Sequence, residues 1–337
     1  MSTIGIKELA EFAGVSVATA SRAISNPNRV SKVTREKVQA AAKEIGYTPN
    51  RLGAGLRTSK TGNVIVIIPD AGDTFNFGAI KAIEKAASEH GFSVLLGDTQ
   101  NLRERELAYG DLVRTRQADG IIFFSYRLPF DIEPGQEADF EMPPIVNSCE
   151  DVGRNDIPLV SINNELAGEE ATQHLIDLGH ENIAVITGDS NTPSTQDRLK
   201  GYLTALKKAG IRKRQEFIQE GQYCIEQGEE STKSLLQLKQ RPSAIFCFSD
   251  EIAIGCLSTL KSAGFEVPGD MSVIGFDDIR FAKYFYPPLT TVAQPVELIG
   301  KTCMQVLAKL INKQEVPEMR IILPHQLIVR ESTGKPR

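Results

Sequence analysis

The chain opens on short helical stripes and turns, after about residue 62, to runs of consecutive apolar residues. Ile6, Leu9, Ala10 and Ala13 recur at i, i+3, i+4 and i+7, the spacing of one buried helix face. Gly14 follows as a stop, because glycine accepts the left-handed backbone that ends a helix. Ser16 stands where an N-cap is needed, and a second helix follows with Ala20 and Ile24 inward until Asn26-Pro27 ends it. A third helix is predicted from Thr34 to about Ile45, with Val38, Ala41, Ala42 and Ile45 as its stripe and Gly46 as its stop. Three short helices, the first two joined by a tight glycine turn, predict a helix-turn-helix.

Beyond Asn63 the period changes. VIVIIP (64–69), FSVLLG (92–97), DGIIFF (119–124), NIAVITG (182–188), SAIFCFSD (243–250) and SVIGFD (272–277) alternate with helical stretches. Continuous apolar strands separated by helices indicate parallel sheets covered on both faces, and two such sets predict two α/β lobes. Ligands of open α/β sheets collect beyond the carboxyl ends of the strands. That rule selects Asp70 to Phe77, Ser125, Ser148 with Cys149, the stretch from Asp189 through Ser194 to Arg198, Tyr223, Asp250 and Asp277. Arg198, Asp250 and Asp277 suit the hydroxyls of a ribose or another sugar, and Phe75 and Tyr223 offer flat faces to a heterocycle. For any one of these residues the alternative is a strand-end cap or a bond between lobes.

Charge separates the two parts. The whole chain of 337 residues carries −5, yet residues 1–60 hold ten Lys/Arg and four acids, so the head carries +6 and the remainder −11. A basic module joined to an acidic body is the footprint of a polyanion-binding head. Its second helix, within GVSVATASRAISN (14–26), explains the sign. A helix entering the DNA major groove needs small outward residues near its N-terminus. Val17 and Ala18 fit there and can meet thymine methyls, while Arg22, one turn on, reaches guanine O6 and N7. The hydroxyls of Ser16, Thr19 and Ser21, joined by Asn26, Ser31 and Thr34, suit phosphate oxygens. The bland alternative is an αα-hairpin at a protein interface.

Enzyme chemistry finds no support. Gly300-Lys301-Thr302 has Pro295 where a P-loop needs glycine, and no strand and loop are expected before it. The four histidines (90, 174, 180, 325) show no ligand spacing, and His180, between a helix and a strand, suits capping better than catalysis. No metal and no cofactor are expected. The five cysteines are scattered, which fits a reducing compartment, and MSTIGIKELAEF lacks the pattern of a signal peptide. No run approaches 18 apolar residues. A cytoplasmic protein with no membrane partner is expected.

TIGIKELAEFAGVSVATASRAISNPNRVSKVTREKVQAAAKEIGYTPNRLGAGLR (3–57) closely resembles the headpiece of bacterial lactose-repressor-type (LacI/GalR) regulators. The resemblance runs on through GFDDIRFAKYFYPPLTTVAQP and HQLIVRES. Within the family, SYRLPFD, PSAIFCFSD and PPLTTVAQP look most like the cytidine-responsive members, with the purine-responsive ones near relatives. It implies an α/β fold: a three-helix DNA-binding domain at 1–49, a hinge helix and linker at 50–61, and a two-lobed, periplasmic-binding-protein-like body at 62–337. One lobe is expected at about 62–162 and 294–324, the other at 163–293 and 325–337. The hinge NRLGAGLR would wedge Leu56, followed by Arg57, into the minor groove, though Gly53 and Gly55 each cost about 1 kcal/mol of helix propensity. Effector contacts are implied at Phe75, Asn76, Phe77, Ser125, Ser148, Ser194, Arg198, Tyr223, Asp250 and Asp277. Asn76 and Cys149 stand where nucleoside-binding members carry aromatics, so Phe77 is the substitute stacking partner, and Asn163 stands where an Asp is usual near a lobe crossing. The resemblance implies a homodimeric repressor on a pseudo-palindromic operator, a nucleoside effector such as cytidine between the lobes, and the cyclic-AMP receptor protein as a neighbour on DNA. The absence of leucine heptads after Glu331 favours a dimer.

Overall fold

The structure is a computed structural model, and it describes residues 4–25, 27–48, 60–132, 135 and 140–337. The chain forms two compact units, Met1–Thr61 and Gly62–Arg337. Asn26, Leu56 and Arg57 lie outside the described residues.

In the first unit, α1 (Ile6–Phe12), α2 (Val17–Ser25) and α3 (Lys32–Ile45) close around Leu9, Ala10, Ala13, Ala20, Ala23, Val38 and Ala41. Gly14, at φ 58°, makes the sharp turn between α1 and α2 that a residue with a Cβ would strain. Two details differ from the sequence expectation. Ala23 is fully buried while Ile24 is only partly so, because Ala20 and Ala23 at i, i+3 face the centre. Helix α3 begins at Lys32 because Ser31 caps it, its hydroxyl accepting the Thr34 amide at 3.2 Å.

The second unit holds two six-stranded sheets. The first runs β11–β5–β4–β3–β1–β2, with β1 Asn63–Ile68, β2 Ser93–Asp98, β3 Ile121–Phe123, β4 Ile145–Ser148, β5 Leu159–Ile162 and β11 Arg320–Leu323. The second runs β12–β10–β9–β8–β6–β7, with β6 Ile183–Ile186, β7 Ile218–Gln219, β8 Ala244–Cys247, β9 Ser272–Asp277, β10 Thr290–Ala293 and β12 Gln326–Ile328. All pairings are parallel except β10 with β12. Of the central strands, β1, β6, β8 and β9 are buried and mostly apolar, with polar residues only at the ends of β1 and β9, as sheets covered on both faces require.

Helices α4 (Thr74–Glu89), α5 (Arg103–Arg114), α6 (Asn164–Asp177), α7 (Pro193–Lys208), α8 (Ile225–Leu236), α9 (Asp250–Ser262) and α10 (Val296–Ile311) cover the sheets. The chain passes between sheets after β5, β10 and β11. In each sheet the strand order reverses at one point: β1 lies between β2 and β3, and β6 between β7 and β8. Such switch points open a crevice at the strands' carboxyl ends.

Strand β10 does precede the Gly300-Lys301-Thr302 tripeptide, contrary to expectation, yet Gly300 lies inside α10 and forms no loop. It marks a close helix crossing, since a Cβ there would fall 2.5 Å from the Ala82 Cβ. The His180 amide closes the end of α6 by donating to the Leu175 carbonyl at 3.1 Å, while its ring ties strands and tail together, with Nδ1 2.8 Å from Ser243 Oγ and Nε2 2.8 Å from the Gly334 carbonyl. Among the described residues no helix is long and apolar enough to cross a membrane, and no cluster of His, Cys, Asp and Glu could hold a metal.

Candidate DNA-binding head and effector cleft

Burial of Ala20 and Ala23 fixes the rotation of α2, and so its outward face. Val17 (43% exposed), Ala18 and Arg22 stand on that face, with Ser16 beside them and Thr19 and Ser21 half-buried. The hydroxyls at the head of the helix serve one another first. Ser16 Oγ accepts the Thr19 amide at 3.2 Å and lies 2.8 Å from Thr19 Oγ1. Ser31 and Thr34 repeat the arrangement at α3, also at 3.2 and 2.8 Å. The head thus presents two capped helix N-termini with exposed hydroxyls, a setting that favours phosphate oxygens.

In the body, Arg198 on α7 is 5% exposed and held on three sides. Its Nε donates to Asn164 Oδ1 at 2.9 Å, its Nη1 donates to the Phe248 carbonyl at 2.5 Å, and the guanidinium carbon lies 3.6 Å over the Phe276 ring centroid. The plane therefore cannot swing, and its charge is fixed at the switch point of the second sheet. Tyr223 stands beside it, with its ring 5.9 Å from that carbon and its hydroxyl 2.6 Å from Thr195 Oγ1 and 3.5 Å from Ser194 Oγ. Asp277 ends β9 with φ at 110° and accepts from Gln294 Nε2 at 2.8 Å. Burial pushes its carboxyl well above the usual carboxylate range, with Arg198 opposing the shift and Asp250 and Asp73 adding to it.

Three further acids complete the cleft: Asp73, within the selected stretch Asp70 to Phe77, and Glu150 and Glu251, which the sequence did not single out. Asp73 caps α4, accepting the Asn76 amide at 2.7 Å, and burial raises it to about 6. Glu150, just past β4, accepts the Ser194 amide at 3.1 Å and the Ser194 hydroxyl; burial raises it too, against those bonds and Arg198. Glu251 Oε1 accepts from Thr74 N at 2.9 Å and Thr74 Oγ1 at 2.8 Å. The strand-end rule would have reached Glu150 and Glu251, which adjoin the residues it selected.

The structure thus brings Ser194, Arg198, Tyr223 and Asp277 together. Others of the set are directed elsewhere. Asp250 is fully buried and its two oxygens are taken within its own lobe, by Thr291 Oγ1 at 2.7 Å and the Ile279 amide at 2.8 Å. Ser148 is fully buried and its hydroxyl accepts from the Cys303 thiol of α10 at 3.4 Å. Ser125 Oγ donates to Glu106 at 3.2 Å, within a network that also holds Arg127. Asn76 donates to the Asp70 carbonyl at 3.0 Å as part of the α4 start. Phe75 packs on the core, whereas Phe77 is 57% exposed and offers no buried stacking face. Asn163 caps α6, accepting the Leu166 amide at 2.9 Å.

Comparison with known proteins decides the family. Residues 5–50 match the model of bacterial regulatory proteins of the lacI family, and residues 172–333 match the periplasmic binding protein-like domain. The HTH-type transcriptional repressor CytR of Escherichia coli (strain K12) is 38% identical over 328 residues, covering 97% of this chain and 96% of the relative. The chain belongs to the lacI family of bacterial regulators. Catabolite control protein A of Priestia megaterium is 35% identical over 98% of this chain and 99% of its own. The lac repressor dimer bound to operator and the anti-inducer ONPF superposes with a TM-score of 0.83 at 26% identity, covering 99% of this chain and 100% of that one. This lacI-family member is accordingly a DNA-binding transcriptional repressor and not an enzyme, and its fold is the helix-turn-helix head with a two-lobed α/β body. Dimeric operator binding under control of small effectors is typical of the family.

Proposed function

We propose that this repressor binds a pseudo-palindromic operator as a homodimer and that a nucleoside such as cytidine, held between the lobes, sets its grip. Two α2 helices would occupy successive major grooves, with Val17, Ala18 and Arg22 reading base edges and Ser16, Thr19, Ser21, Asn26, Ser31 and Thr34 holding phosphates. The head would comprise residues 1–49 and the hinge 50–61, with Leu56 and Arg57 at the minor groove. The lobes would comprise about 62–162 with 294–324, and 163–293 with 325–337. A cytoplasmic setting and a neighbouring DNA-bound partner such as the cyclic-AMP receptor protein belong to this reading.

One observation carries the effector reading: an immobilised guanidinium at Arg198 stands beside the carboxyl of Asp277 and the ring of Tyr223. A fixed cation, an acceptor and a flat face suit vicinal hydroxyls and a heterocycle together. A thermal-shift panel of nucleosides, bases and sugars tests it, because a ligand that binds only the folded state raises the unfolding midpoint. Cytidine should raise the midpoint and alter operator affinity, and Asp277→Ala should abolish both responses. A shift with sugars or purine bases alone would replace the nucleoside reading with the corresponding effector class.

A further inference from the structure

Two helix N-termini face the cleft from opposite lobes, and each is closed by a carboxylate reaching from the other side. At α4, Glu251 from the start of α9 accepts from both Thr74 N and Thr74 Oγ1. At α7, Glu150 from the end of β4 accepts from both the amide and the hydroxyl of Ser194. The exchange is reciprocal, since the first lobe supplies Glu150 and the second supplies Glu251. Helix α7 gains most, because its own N-cap residue, Thr192, makes no side-chain capping bond.

Helix N-termini at strand carboxyl ends are where folds of this class hold phosphate. Here the amides that would do so already serve an internal anion. Asp73 stands at the first terminus as its N-cap. Arg198 is the cation among them, and Asn164 and the Phe248 carbonyl already engage it.

We infer that Glu150 and Glu251 act as a charge filter, selecting neutral hydroxyl-bearing effectors and rejecting their phosphorylated counterparts. The inference rests on the reading of this cleft as the effector site. A negative group about 6 Å from one carboxylate, at an effective dielectric near 20, loses affinity on the order of a hundredfold.

The test titrates the full-length protein with cytidine and cytidine 5′-monophosphate, ribose and ribose 5-phosphate, and inorganic phosphate, reading the unfolding midpoint. The same series is run on Glu150→Gln, Glu251→Gln and the double variant, with circular dichroism showing that each is folded. Glutamine keeps an acceptor oxygen for the helix amide while removing the charge. The wild type should prefer the unphosphorylated member of a pair by about a hundredfold or more, and each variant should narrow that preference by up to about a hundredfold. Equal or tighter binding of the phosphorylated ligand by the wild type overturns the filter, as does full discrimination in both single variants. If sugars bind and nucleosides do not, the nucleoside reading falls while the ribose pair still decides the filter. If no neutral ligand binds, inorganic phosphate decides: stabilisation of either variant but not of the wild type supports the filter, and no gain overturns it. The single variants carry the comparison if the double variant does not fold.

Discussion

Replacing Gly201 by alanine tests how the packing of α6 and α7 supports the cleft. The two helices meet where neither has a side chain. A Cβ on Gly201 would lie 2.1 Å from the Glu165 carbonyl oxygen and 2.6 Å from the Glu169 amide, and one on Gly168 would lie 2.4 Å from the Arg198 carbonyl oxygen. These neighbours are backbone atoms and cannot rotate aside. The helices must part by about 1 Å to restore ordinary van der Waals contact. Overpacking of this kind costs about 1–3 kcal/mol, while alanine returns about 1 kcal/mol of helix propensity over glycine. A net loss of up to about 2 kcal/mol should lower the unfolding midpoint of a body this size by up to roughly 8 °C. The functional effect should be larger. Gly201 lies one turn from Arg198, whose Nε is bonded at 2.9 Å to Asn164, the first residue of α6. Parting the helices stretches that bond and frees the guanidinium, so effector affinity should fall by about tenfold or more. Differential scanning calorimetry with and without effector reads both numbers. A raised midpoint with effector response intact would mean that the interface has slack and that the helix crossing does not position Arg198.

Arg22→Ala should cost about 1–3 kcal/mol on the cognate operator and relax preference at one base pair per half-site; fluorescence anisotropy on single-base operator variants would expose the mistake if all sequences weakened equally. Ser31→Ala removes the α3 cap and should cost about 1 kcal/mol, seen as faster amide exchange along α3, with Ser31→Asp restoring protection; unchanged exchange would show that the cap is idle. Asp250→Asn concerns pH. Burial, the largest cause, raises the Asp250 carboxyl to about 7, so the folded chain keeps its proton where the unfolded chain, near 4, has lost it. Its contribution is fully present below about pH 4 and is lost as pH rises through 7. Between pH 4.5 and 8 the midpoint of the variant should therefore decline less with rising pH than that of the wild type, and parallel profiles would rule this out.

Periodicity revealed the helices of the head and the strands of both sheets, because an amphipathic stripe and a fully buried strand each leave a distinct pattern. Side-chain direction at the strand ends left no such trace. Ser148 and Cys149 are neighbours on one strand end, and successive side chains of a strand point to opposite faces. Ser148 turns to α10, while Cys149, at φ 66°, bends the chain so that Glu150 reaches Ser194. Asp250 and Glu251 separate for the helical reason: one residue along α9 is a rotation of about 100°. Asp250 therefore faces its own lobe and Glu251 the opposite one. Selecting residues by their place beyond a strand reached segments that border the cleft but could not choose between neighbours within them.

The cleft residues are also joined to the segments that cross between the two sheets. Gln294, on the passage from β10 to α10, donates to Asp277, and Asn164, the first helical residue after the passage from β5, accepts from Arg198. A ligand that engages Asp277 and Arg198 thus competes for bonds made at two of the three crossings. Binding alone moves nothing, because a ligand shifts an equilibrium only by its differential affinity for the two lobe arrangements. Full conversion from about 1:99 to 99:1 needs a preference of about ten-thousandfold. Contacts shared equally by two lobe arrangements cannot supply it, whereas groups bonded across the cleft or at its crossings would wherever their geometry differs between the two. Ser194 with Glu150, Thr74 with Glu251, Arg198 with Asn164 and Gln294 with Asp277 are such groups, and an effector held in this cleft would act to the extent that it changed those bonds.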